Sequence, residues 1–265
     1  KLHLLSALVL TVIFGSSAIY AQDFSNKGKD FWVAYGYHER MSQANGGSQD
    51  MVLYFAAEQA ANVTVSIPGV GYTQNYFVPA NSVITSAPIP KNAPQDVRLT
   101  ATSSAPENKG IRITSDKPIV AYAHIYNQSV SGATILFPTP TLGKEYYSIN
   151  YQNTSNTNNA NCWFYVIAAD TGTTTVEIIP SGATTNGWVA GSTNTITLTQ
   201  GQVFNVMGQL TTTTNPFQGV DLTGSIIRSI AGPNGSCKKI AVFSGSGRIS
   251  ITCNSGSSSS DNYMV

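Results

Sequence analysis

The sixteen residues VLYFAAEQAANVTVSI, Val52 to Ile67, return without a gap as WFYVIAADTGTTTVEI, Trp163 to Ile178. Inside the first copy Val63, Val65 and Ile67 alternate with Asn62, Thr64 and Ser66, the period of a strand with one face buried. Working outward, GKDFWVAY at 28–35 reappears as GKEYYSIN at 143–150, which sets Phe31, Trp32 and Tyr35 against Tyr146, Tyr147 and Asn150. GIRITSDKPIVAYA at 110–123 matches GSIIRSI at 224–230 followed, after the insertion AGPNGSC, by KKIAVFS at 238–244. Three segments kept in order at nearly equal offsets signal a duplicated unit, and that decides the domain count.

The runs between these segments, YTQNYFVP, NSVITSAP and DVRLTATS, are short and punctuated by PGVG, PANS and PKNAPQD. Turn chemistry every eight to twelve residues, with no helical period after the first residues, predicts antiparallel β-sandwiches rather than βαβ units. The expected fold is all-β: two tandem antiparallel β-sandwich repeats of about 110–115 residues, spanning 22–141 and 142–253. A propeller also repeats, but a blade has four strands and each unit here holds more. Residues 254–265 read as a Ser/Gly linker and the start of a further region, with more domains of the same polypeptide expected to follow.

Composition narrows function. Of 265 residues only 10% are charged, and 14 Lys+Arg against 13 Asp+Glu leave a net charge of +1. No basic cluster exists to collect phosphates, so nucleic acid is excluded as a partner. Disorder is excluded as well, because low charge accompanies 42% hydrophobic residues and many β-formers.

Residues 1–21 have a signal-peptide layout. Lys1 and His3 precede an apolar run from Leu4 to Phe14, too short to span a bilayer, and small residues up to Ala21 follow, where cleavage is expected. The mature chain should then be secreted or on a cell surface, with no membrane span. Its cysteines number three. Cys237 and Cys253 each lie eight residues from Gly245 in what reads as two strands folded around Ser244 to Gly247, which predicts a disulfide across a hairpin. Closing that loop contributes about 3 kcal/mol in the chain-entropy model. Cys162 is left over, either buried as a small apolar residue or paired beyond Val265.

Taken together, GKDFWVAY, ITSDKPIVAYAH, FPTPTLGKEYYSINY, VDLTGSIIRS and CKKIAVFSG resemble the IgGFc-binding protein N-terminal domain family, over nearly the whole mature chain. Members occur among animal mucus proteins and secreted or surface proteins of Bacteroidetes-type bacteria. The resemblance implies a non-enzymatic extracellular all-β adhesion module, whose partner would be an immunoglobulin, a mucin or another glycoprotein, or a glycan. It implies no site residue, because the matching motifs are those a shared core retains.

Chemistry-bearing residues are sparse. After residue 21 the histidines are His38 and His124, and no HExxH, GxSxG, CxxC or phosphate-loop pattern occurs. His124 falls in IVAYAHIYN, where alternation places Val120, Tyr122, His124 and Tyr126 on one face, a strand histidine packed beside tyrosines. His38, with Glu39 and Arg40, reads as a solvated turn. Ser115, Asp116 and His124 lack the turn that a nucleophile needs. The oxygen-rich turn from Asn45 to Asp50 is a soft candidate for calcium, without the spacing of a dedicated loop. No cofactor is expected. Phe31, Trp32, Tyr146 and Tyr147 should pack under the sandwiches, whereas Trp188, in the polar loop TTNGWVAGSTN, is the residue expected to be exposed for ligand binding. If the chain recognises nothing, the alternative is a structural spacer.

Overall fold

The computed structural model describes residues 25–38, 47–99, 104–127, 131–151, 154–157, 161–232, 235–252 and 258–264. The expected signal peptide, Glu39, Arg40 and Cys253 lie outside these residues.

The chain is all-β and antiparallel. The first repeat consists of β1 (Gly28–Val33), β2 (Asp50–Ala57), β3 (Ala61–Ile67), β4 (Tyr72–Val78), β5 (Ser82–Thr85), β6 (Ile111–Tyr126) and β7 (Ser131–Ile135). Its axis is β6. The amino-terminal half of β6 pairs with β1 and β3, and its carboxy-terminal half with β2 and β7. The order is thus β4-β3-β6-β1 on one side of the bend and β5-β2-β6-β7 on the other. The bend falls at Asp116, Lys117 and Pro118, all exposed, where a residue without an N–H forfeits no ladder bond. Folding there lays the halves face to face: Phe55 of β2 meets Tyr76 of β4 with ring centroids 5.7 Å apart.

The second repeat consists of β8 (Glu145–Tyr147), β9 (Thr154–Ser155), β10 (Cys162–Ala168), β11 (Thr173–Ile179), β12 (Asn194–Thr199), β13 (Val203–Met207), β14 (Leu210–Thr212), β15 (Phe217–Gly219), β16 (Ile226–Ile230), β17 (Ile240–Thr252) and β18 (Ser258–Met264). Sheets β12-β11-β16-β8 and β13-β10-β17-β18 reproduce the two halves of the first repeat, and a small sheet β14-β15-β9 is added. Here the insertion at 231–237 has cut the long central strand into β16 and β17. Register follows the alignment: Tyr54 opposite Tyr122 becomes Tyr165 opposite Phe243, and Phe31 opposite Ile113 becomes Tyr146 opposite Ile227. One pairing slips. Val65 faces Ile113 but Val176 faces Ser229 rather than Ile227, a two-residue shift that keeps the same side chains inward.

Two expectations change. Ile240–Thr252 is one continuous strand, in unbroken register with β10 through Ser244, Gly245 and Ser246, so the hairpin around Gly245 is not formed. With it goes the geometric reason for joining Cys237 to Cys253, since extended strand rather than a turn separates them. The serine-rich stretch read as linker also contributes structure: Ser258–Met264 is a strand on β17, in the place β7 holds in the first repeat.

The two repeats share a core. One cluster, Cys162, Phe164, Val166, Val176, Ile178, Leu198, Phe204 and Ile227 among others, fills the second sandwich. The other runs from Phe31, Leu53, Phe55, Val65 and Ile113 of the first repeat into Trp163, Tyr165, Ile167, Val203 and Phe243 of the second. Strands β10 and β13 of the second sheet are therefore covered on both faces, and all seven residues of β10, CWFYVIA, are buried. A strand buried on both faces reads as continuous apolar sequence rather than alternation.

Candidate recognition surfaces

The outer face of β10 and β17 is an aromatic stack. Trp163 and Tyr165 lie 5.5 Å apart at 17°, and Tyr165 and Phe243 5.1 Å apart at 24°. This face docks on the end of β1. Tyr165 Oη donates to the Ala34 carbonyl at 3.0 Å and accepts from the Ala34 N–H at 3.2 Å. Complete burial pushes the Tyr165 phenol pKa far up, so the hydroxyl keeps its proton and its donor role. Gly36 is required by close approach: a Cβ there would lie 2.7 Å from the Trp163 ring. His38, expected in solvent, is instead fully buried and meets Trp163 edge-on at 5.8 Å. The long-range partner responsible, 125 positions away in the chain, has no local signal at YGYHERM.

The same face of the first repeat is open. Tyr54, Tyr122, His124 and Tyr126 form a ladder, with His124 stacked on Tyr126 at 4.9 Å and tilted against Tyr54 at 5.8 Å. The Tyr54 hydroxyl and His124 Nδ1 are 3.1 Å apart. Tyr122, Tyr126 and Val83 are 38%, 37% and 63% exposed. His124 therefore sits as the alternation indicates, among tyrosines, and partial burial lowers its pKa so that it is neutral at pH 7. The position equivalent to His124 is Gly245, opposite Trp163.

Hydrolytic and metal chemistry fare differently. Asp116 accepts from the Asn62 N–H at 2.7 Å and from its side-chain amide at 2.9 Å, while the Ser115 hydroxyl is buried without a hydrogen-bond partner. Neither reaches His124, whose ring nitrogen engages Tyr54, so the three residues form no triad. Of the turn considered for calcium, Asn45 and Gly46 lie outside the described residues; in the remainder the Lys91 ammonium lies 2.5 Å from the Gly47 carbonyl, 3.1 Å from that of Gln49 and 2.7 Å from the Asp50 carboxylate. Among the described residues no group of three His, Cys, Asp or Glu is placed to hold a metal ion, and no helix is long and apolar enough to cross a membrane.

Trp188 lies differently from its expected exposure. It is half-buried, stacked on Phe204 at 5.6 Å and 16°, and closes one end of the second core, while its neighbour Val189 is 64% exposed. Phe31 and Trp32 pack as expected and Tyr146 joins the second core, but Tyr147 is 60% exposed. Two and four residues further on, beyond the end of β8, Ile149 and Tyr151 are 60% and 49% exposed. Sequence reasoning missed this ridge, although YSINY alternates visibly. Between the repeats lies a cavity of about 660 Å³ lined by Trp32, Ile135, Phe137, Leu142, Tyr146 and Phe243. Cys162 is buried in the second core, where its thiol pKa is pushed up to about 12.

In comparison with protein families, the model described as IgGFc binding protein matches residues 132–264, and the chain belongs to that family. Comparison with curated proteins and with solved structures finds no match.

Proposed function

We propose that this member of the IgGFc-binding family is a secreted or cell-surface recognition module, without catalysis or cofactor, that holds an extracellular protein or glycoprotein on the aromatic face of its first repeat. The observation that carries the reading is internal. The equivalent face of the second repeat already binds protein, namely residues 32–38 of the first, through stacked aromatics and a tyrosine hydroxyl. The open face offers Tyr122, Tyr126 and Val83 beside a half-buried Tyr54 and His124, the composition that protein interfaces favour over the charged residues they exclude. With a net charge of +1, attachment would rest on contact rather than long-range steering.

The test is binding of residues 22–265 to immobilised IgG Fc, with mucin and a glycan array alongside. Saturable binding to Fc or mucin that survives deglycosylation supports recognition of protein, and binding only to glycans moves the partner to sugar. Silence on all three, from folded protein, overturns the reading in favour of the spacer. The spacer has one specific observation behind it, the core shared by both repeats, which makes them a single unit able to hold a distal domain at a distance.

A further inference from the structure

The contact between the repeats is head-to-tail, so among the described residues each repeat leaves one half of it uncovered. Each repeat carries a face and a ridge. The second repeat's face, Trp163, Tyr165 and Phe243, covers the first repeat's ridge, Trp32, Ala34 and Gly36. What remains is the first repeat's face, with Tyr54 and Tyr122 at the places of Tyr165 and Phe243, and the second repeat's ridge, with Tyr147, Ile149 and Tyr151 at the places of Trp32, Ala34 and Gly36. Both are exposed apolar surfaces.

One detail relates the two uncovered halves to the covered contact: the bordering edge is built in the same way. In the covered contact Glu107 and Val203 exchange backbone hydrogen bonds of 2.8 and 2.9 Å, next to the turn at Gly201. The equivalent turn in the first repeat is at Asn81, and both residues take positive φ, 80° and 54°, a conformation costly for most L-residues. Beyond that turn the edge strand β5 carries Val83, 63% exposed, at the place of Val203.

We infer that a second copy of this chain docks the aromatic face of its first repeat on the Tyr147–Tyr151 ridge, so that the protein assembles head-to-tail. A heterologous contact of this type propagates rather than closing on itself unless its rotation completes a ring. The inference rests on the reading of the first repeat's face as a protein-binding surface, and it adds the chain itself as a partner, in competition with any other.

Sedimentation velocity of the full chain across a wide concentration range tests this, together with a ridge variant, Ile149→Asp/Tyr151→Asp, and a face variant, Val83→Asp/Tyr122→Asp. All four substituted residues are exposed, so both variants should keep the parent's melting temperature. The parent's mean sedimentation coefficient is expected to rise with concentration, and each variant alone to remain monomeric. The ridge variant retains a face and the face variant retains a ridge, so an equimolar mixture should give a one-to-one dimer and nothing larger. A parent that stays monomeric throughout overturns the inference, as does a mixture that fails to dimerise. Self-assembly without Fc or mucin binding would remove the partner reading alone, and partner binding by a strict monomer would remove this one alone.

Discussion

Residues 31–36 and 146–151 are the same segment of the two repeats, their first residues paired in the same register with β6 and β16, yet one is buried throughout and the other on alternate residues only. The difference is not local. FWVAYG lies between its own sandwich and the β10 face of the second repeat, whereas YYSINY has its own sandwich on one side and solvent on the other. The two faces show the reverse: Trp163, Tyr165 and Phe243 are covered while Tyr54, Tyr122, His124 and Tyr126 are open. Among the described residues, the two repeats thus present one covered and one uncovered copy of a single contact.

The sharpest way to break the comparison is to truncate the covered face. Tyr165→Ala should cost about 3–5 kcal/mol, the usual range for a large buried aromatic, because it leaves a cavity and orphans the Ala34 backbone groups. Denaturant unfolding would register this as a large fall in midpoint, and a fall no greater than that for Tyr122→Ala would contradict the equivalence. A smaller loss is expected on the ridge side. Gly36→Ala forces a Cβ to 2.7 Å from the Trp163 ring and should cost about 1–3 kcal/mol by overpacking, while Tyr151→Ala should stay within about 0.5 kcal/mol. Equal melting shifts for the two would show that the ridges are not differently covered.

The smallest effect concerns pH. Burial lowers the His124 pKa, so as pH falls through the unfolded value of about 6.5 the unfolded imidazole takes a proton before the folded one, and stability falls. His124→Gln should flatten the stability profile on the acid side of neutrality, with a pH-independent offset from the lost contacts to Tyr126 and Tyr54. An unaltered slope in urea melts at several pH values would place the ring in a more solvated setting than its stack with Tyr126.

Much of the fold was legible because strands announce themselves locally. The period in NVTVSI, the turn residues around it and the repeat of VLYFAA as WFYVIA required only the chain itself. What lies between the repeats was not legible. CWFYVIA carries the mark of a strand buried on both faces, but nothing in it says that its second cover is Ala34, Gly36 and His38. The Gly245 region misled because SGSG reads as a turn, whereas small residues there let β17 run straight past Trp163. Trp188 misled for a related reason: a polar loop surrounds it, but its partner Phe204 lies across the core. Sequence placed His124 among its tyrosines and not the ladder they form, since only the pairing of β2 with β6 adds Tyr54.

The most direct measurement is the affinity of Tyr122→Ser/Tyr126→Ser for immobilised IgG Fc and mucin, set beside the parent and beside Tyr147→Ser/Tyr151→Ser. Both pairs are exposed tyrosines, so folding and gross aromaticity are matched. If the first repeat's face is the recognition surface, the Tyr122/Tyr126 variant loses at least about tenfold in affinity, the loss of one or more interface anchors, and the other pair binds as the parent does. Undiminished binding by the Tyr122/Tyr126 variant would contradict it.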